Sequence, residues 1–129
     1  MKFGYLIVYV PDVPATVDHY RQAFGFGLRF LHDSGTYGEL ETGGTALAFA
    51  AEELADLHGF ALRPNRSGDL AAGVEIALVS ADPDADYARA LAYGASALSP
   101  PKDMPWGQRV SYVRDMNGCI VEICSEIKV

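Results

Sequence analysis

Few residues of this 129-residue chain combine a reactive type with a defined setting, and most of those lie between Trp106 and Cys124. Gln108–Val113 and Cys119–Cys124 read as two short strands joined by an Asp115-Met116-Asn117-Gly118 turn, in which Asn-Gly supplies the positive-φ positions of a tight hairpin. Side chains alternate along a strand, so Glu122 projects from the face opposite Val121 and Ile123. Either that face is wet or the carboxylate lines a cavity, where it would select positive charge. Trp106 is the only tryptophan and stands between Pro105 and Gly107, a stiff setting that suits stacking on a planar ligand or plugging a loop. Arg109 is placed to orient an anionic group or to pair with Glu122.

The remaining chemistry-bearing residues offer less. His19 falls in a helical segment beside Asp18 and is expected at the surface; His32 ends a strand, and His58 lies in a connector. None forms a His-x-x-x-His or His-Glu pair, and neither a Gly-x-Ser-x-Gly elbow nor a phosphate loop is present. Cys119 and Cys124 are five apart in one apolar strand, so they face opposite ways and cannot bridge; inert free thiols are expected.

Composition narrows the partners. Ten Lys and Arg against seventeen Asp and Glu give a formal charge of −7, which repels phosphate backbones and argues against nucleic acid. The same charge favours a cationic small molecule. No apolar run is long enough to span a bilayer, and Met1-Lys2-Phe3 leads straight into a strand-like run, so a cytoplasmic protein without membrane contact is expected. The length suits one domain over 1–129 built from two modules, about 1–60 and 70–129.

The elements that must position these residues recur twice. Lys2–Val10 reads as a strand closed by Pro11-Asp12, then a helix runs over Val13–Phe24 to the stop at Gly25. Strands follow at Gly27–His32, Thr36–Glu41 and Thr45–Ala50, and Glu52–Gly68 is an irregular or partly helical connector. The order then repeats, with a strand at Gly73–Val79, a helix at Pro83–Tyr93, and strands at Ala95–Leu98, Gln108–Val113 and Cys119–Cys124. Tyr20-Arg21-Gln22-Ala23-Phe24-Gly25 aligns with Arg89-Ala90-Leu91-Ala92-Tyr93-Gly94, an offset of about 69–70 that sets Tyr5 opposite Glu75, and aligning the last strands of each half sets Ala48 opposite Glu122. The expected fold is therefore α+β, two βαβββ modules forming a curled mixed sheet around a concave cavity. A lone βαβββ unit cannot bury its own face, so modules must pair within the chain or between chains.

This βαβββ repeat, with Val10-Pro11-Asp12, Tyr20–Phe26, Gly38–Phe49 and the Trp106–Glu122 stretch, resembles the vicinal oxygen chelate superfamily of glyoxalases, bleomycin resistance proteins and dioxygenases. The resemblance covers essentially the whole chain. It implies a divalent metal held by one residue from each of four strands, and those positions fall on Tyr5, Ala48, Glu75 and Glu122. Ala48 cannot ligate, and two carboxylates with a phenol make a poor Zn, Ni or Fe site; two carboxylates with waters could hold Mg or Mn loosely. Glu75 and Glu122 are otherwise expected to face solvent, to pair with Arg29, Arg109 or Arg114, or to meet a ligand directly.

If the metal positions face a cavity, so do their strand neighbours, and the ligand-binding set becomes Tyr5, Ile7, Ala48, Ala50, Glu75, Trp106, Arg109, Tyr112 and Glu122. Small Ala46, Ala48 and Ala50 either leave room for a bulky ligand or are covered by Phe30, Tyr37, Tyr112 or Phe60. The leading expectation is a cofactor-free small-molecule binder that sequesters an aromatic or cationic compound, resembling antibiotic-resistance binders. The alternative is a metal-dependent lyase resembling glyoxalase I, with Glu122 as ligand and Glu75 as ligand or base, or a related dioxygenase; a third reading is a metal-free enzyme in which Tyr5 and Glu75 act as an acid–base pair. Relatives of this kind pair as homodimers, so a second copy of the chain is an expected partner.

Overall fold

The computed structural model describes residues 1–127, and the chain divides into two compact units, 1–64 and 65–129. The first unit holds β1 (Tyr5–Val10), α1 (Val13–Phe24), β2 (Gly27–Leu31), β3 (Tyr37–Glu41), β4 (Ala46–Ala51) and a short α2 (Glu53–Leu57). The second holds β5 (Glu75–Val79), α3 (Pro83–Ala92), β6 (Ser96–Met104), β7 (Gln108–Arg114) and β8 (Ile120–Cys124). Each unit is a four-stranded mixed sheet, in the order β1-β4-β3-β2 or β5-β8-β7-β6, with one parallel pair and two antiparallel pairs. The α+β class and the repeated βαβββ order are those read from the sequence.

The helices start where the sequence supplies caps. Asp12 accepts a hydrogen bond from the Ala15 amide at 3.0 Å, and Asp82 does the same for Ala85 at 3.2 Å, each followed within two positions by proline. Gly25, at φ 77°, closes α1 by donating its amide to the Arg21 carbonyl. α1 buries Val13, Val17, Tyr20 and Ala23 on one face of its sheet, and the Tyr20 ring packs 4.8 Å from that of Phe49 in β4. Buried Leu40 belongs to the same layer, and a Cβ on Gly38 would come within 3.1 Å of Val17, so β3 and α1 approach closely there. In the second unit, Val113, Val121 and Ile123 form the layer under α3.

Several expectations need correction. β1 begins at Tyr5, because its partner β4 begins at Ala46, and Phe3 is left 70% exposed. β6 runs on to Met104 through Pro100 and Pro101, well beyond the expected end at Leu98. It is an edge strand, where proline is tolerated, and its register with β7 jumps between Ser99 and Lys102, the stretch that holds both prolines. The hairpin turn has only Gly118 at positive φ, 89°, and Asn117 is not left-handed. Asp115 organises that turn instead, its carboxylate accepting from the Asn117 and Cys119 amides at 2.9 and 3.0 Å. His19 is buried rather than at the surface, because the buried arc of α1 is wider than its apolar residues. Its ring lies edge-on to Tyr20 and to Phe24, 5.7 Å from each.

Candidate functional site

Strand register decides which side chains share the helix-free face of each sheet. In the second unit Glu75 pairs with Ile120, Ala77 with Glu122, and Glu122 with Tyr112, so Glu75, Glu122, Ile120 and Tyr112 face one way, away from α3. Glu75 and Glu122 sit diagonally on adjacent parallel strands, close enough for their carboxyl groups to interact. The Glu75 carboxyl is raised above the usual carboxylate range, first through burial, then through the adjacent Glu122 charge and hydrogen bonding to it. The Tyr112 phenol donates to Glu122 Oε1 at 3.1 Å. Burial and that acceptor push it up to about 12, so it stays a neutral donor.

An open groove of about 290 Å³ lies over this corner, lined by Gly73, Val74, Glu75, Leu98, Tyr112 and Ile120. Its volume is at the lower end for small-molecule sites. Leu98 reaches the groove because it is the extra residue of a bulge: β6 pairs Ala97 with Val113, then Ser99 with Tyr112. The sequence carries no signal for that bulge, and Leu98 and Val74 were accordingly missed.

The first unit repeats the register with other side chains. Tyr5, Ile7 and Tyr9 of β1, Ala46, Ala48 and Ala50 of β4, and Tyr37 and Glu39 of β3 share the helix-free face. Ile7 pairs with Ala48 as Ala77 pairs with Glu122, so the equivalence of Ala48 and Glu122 holds in the ladder. All six residues of β4 are buried, Ala48 at 0% and Ala50 at 5% exposure, so the alanine strand is a covered layer and not an open floor. The Tyr5 phenol lies near enough to Tyr37 and Arg29, on the far side of β4, to influence the titration of both. Methyl-sized residues in β4 permit that reach. Tyr5 and Ile7 themselves are exposed.

Arg109 stands apart from this face. It alternates with Tyr112 and Val110 onto the helical side, where it bonds Asp84 of α3 and Asp103 of β6 at 3.1 Å. The expected pair with Glu122 is therefore not formed; a residue an odd number of positions from Tyr112 cannot share its face. Arg29 is taken by Glu41, and Arg114 by the carbonyls of Gly118, Arg66 and Asp69. Trp106 is half-exposed in the β6–β7 turn, its indole N–H donating to Gln108 Oε1 at 2.8 Å, and Gln108 in turn donates to the Ser125 carbonyl. That places it beyond the Cys124 end of β8, whereas the groove lies at the Ile120 end. The thiols are held as expected: burial pushes Cys119 up to about 12 and Cys124 up to about 11.

The donor set implied for a metal does not fit a Zn, Ni or Fe centre. Ala48 offers a buried methyl group, Tyr5 a phenol, and no imidazole or thiolate joins Glu75 and Glu122 at those positions. Among the described residues, no three His, Cys, Asp or Glu side chains group closely enough to hold a metal ion. Among them too, no helix is long and apolar enough to cross a membrane.

Comparison with known proteins places this architecture. No curated protein matches the chain. Among solved structures it is similar to a glyoxalase-related enzyme from Fulvimarina pelagi, at 22% identity and TM-score 0.82, over 98% of this chain and 88% of that one. It is also similar to a glyoxalase/bleomycin resistance protein/dioxygenase from Nocardioides, at 26% identity and TM-score 0.75, over 99% and 85% of the two chains. TioX from Micromonospora sp. ML1 aligns at 23% identity and TM-score 0.71, over 97% and 98%. The family model of the Glyoxalase/Bleomycin resistance protein/Dioxygenase superfamily matches residues 2–123, nearly the whole described chain. With the doubled βαβββ sheets and their matching ladders, the chain belongs to the glyoxalase/bleomycin resistance protein/dioxygenase superfamily.

Proposed function

We propose that the protein is a small-molecule binder of this superfamily, taking an aromatic or cationic organic compound without turning it over and without a cofactor. The observation that carries this is the acid-edged apolar groove of the second unit. Val74, Leu98, Ile120 and the Tyr112 ring supply apolar surface, and Glu75 supplies a carboxyl at one wall. Burial of a ring against those residues gives affinity, while the Glu75–Glu122 pair selects positive charge and disfavours anions. The buried methyl of Ala48, where a ligand to metal would stand, supports binding over catalysis.

Isothermal titration of aromatic cations, followed by mass spectrometry of the recovered compound, tests this. Binding weakened by Leu98→Ala and Glu75→Gln, with the compound unaltered, is expected. No binding, or a chemically changed compound, overturns it. A second reading, a divalent-metal lyase of the glyoxalase type, is favoured by the contact between Glu75 and Glu122, two oxygen donors at implied ligand positions. We place the protein in the cytoplasm as a homodimer, which light scattering checks.

A further inference from the structure

The two units carry their carboxylates on opposite members of the same strand pair. In the second unit the cross-strand pair is Tyr112 of β7 with Glu122 of β8; in the first it is Glu39 of β3 with Ala48 of β4. Directly opposed Cβ atoms in an antiparallel pair are about 5 Å apart. A glutamate on either strand can therefore bring its carboxylate to nearly the same point above the sheet. The loss of a side chain at Ala48 is matched by a gain at Glu39.

The surroundings of Glu39 have the chemistry of a cation site. β2 carries a bulge between Leu28 and Phe30, which lets Leu28 pair with Leu40 on the helical side and Phe30 with Glu39 on the helix-free side. The same bulge falls at Leu98 in the second unit, so it belongs to the repeat. It re-aims the Phe30 ring, which is 45% exposed and 6.4 Å from that of Tyr37, while Tyr5 on the same face is 57% exposed. The Glu39 side chain is only 15% exposed, and its Oε2 accepts from the Tyr37 hydroxyl at 2.7 Å. Its nearest cation, Arg29, is 3.9 Å from Oε1 and is already spent on two bonds to Glu41 and one to the Gly43 carbonyl. An incompletely neutralised carboxylate on a face that also carries exposed aromatic rings attracts a bulky, weakly hydrated cation through charge and cation–π contact together. The net charge of −7 adds a field of the same sign.

We infer that Glu39, with the rings of Tyr5, Phe30 and Tyr37, forms a second binding site in the first unit for a quaternary or alkylated ammonium group. The inference does not rest on the reading of the groove at Glu75. Its occupant is the methylated ammonium end of a small organic molecule.

Tetramethylammonium and its neutral isostere tert-butyl alcohol are the probes, titrated into protein carrying ¹³C-labelled Tyr and Phe rings and followed by NMR. Saturable shifts at Tyr5, Phe30 and Tyr37 are expected with tetramethylammonium and not with tert-butyl alcohol. Glu39→Gln keeps an acceptor for the Tyr37 hydroxyl but removes the charge, and weakens the cation at least about fivefold. Equal shifts from the alcohol, shifts confined to Tyr112, no shifts at all, or affinity unaltered in Glu39→Gln overturn the inference. If Glu39→Gln fails to fold, Phe30→Leu replaces it, and unaltered affinity in that variant overturns the inference equally.

Discussion

Replacing Glu75 by glutamine makes the protein more stable at neutral pH, and the gain disappears in acid. The contact between the Glu75 and Glu122 carboxyl groups costs the folded state when both are ionised, and the Glu75 carboxyl is raised first by burial and then by that contact. With a raised folded-state value, the folded protein holds a proton that the unfolded chain releases. Stability therefore falls as pH rises from the ordinary carboxylate value, about 4.3, through the raised one. Two like charges about 4 Å apart interact by about 1 kcal/mol in water and about 4 kcal/mol at the effective dielectric of a protein surface. Glu75 is an exposed residue, so the lower figure applies. Glutamine can donate to Glu122 without charge, and Glu75→Gln should gain about 1 kcal/mol at pH 7, a rise in Tm of roughly 4 °C for a chain of this length. At pH 3.5 the two proteins should unfold within a few tenths of a kcal/mol of each other. Thermal unfolding in the presence of a chelator at both pH values is the assay. A variant less stable at pH 7, or equally stabilised at both pH values, refutes the reasoning.

Removing the Tyr112 hydroxyl in Tyr112→Phe forfeits its bond to Glu122 and should cost about 1 kcal/mol in urea unfolding. Spectrophotometric titration at 295 nm should show Tyr112 ionising only near pH 12, by the signal lost in that variant. Gly118→Ala should destabilise by more than 1 kcal/mol, because it forces a side chain into φ 89° and against the Arg66 carbonyl; an unchanged Tm contradicts this. Arg109→Ala should lower the Tm modestly by freeing Asp84 and Asp103, yet leave ligand affinity in the groove unaltered, as a calorimetric titration would show.

What the sequence made legible was whatever is written in short-range pattern. The glycine stops, each just after an aromatic residue, mark both helix ends, their common spacing exposed the repeat, and the matching last strands exposed the equivalence of Ala48 and Glu122. What depends on register was hidden. The bulges that bring Leu98 and Phe30 onto the helix-free faces have no local marker, and β6 passes through two prolines because it is an edge. Arg109 was misassigned for want of the alternation that puts it against α3, and His19 because helical burial follows packing rather than polarity. The alanines of β4 suggested empty space, whereas small residues in a middle strand equally admit long neighbours such as Tyr5.

The account rests on Glu75 and Glu122 serving as ligand-facing carboxyl groups and not as metal ligands. Elemental analysis of the purified protein by inductively coupled plasma mass spectrometry, before and after incubation with Mn, Ni, Zn and Fe(II) and gel filtration, tests it most directly. The account predicts no metal retained above background. Near-stoichiometric metal that is lost in Glu122→Ala would contradict it.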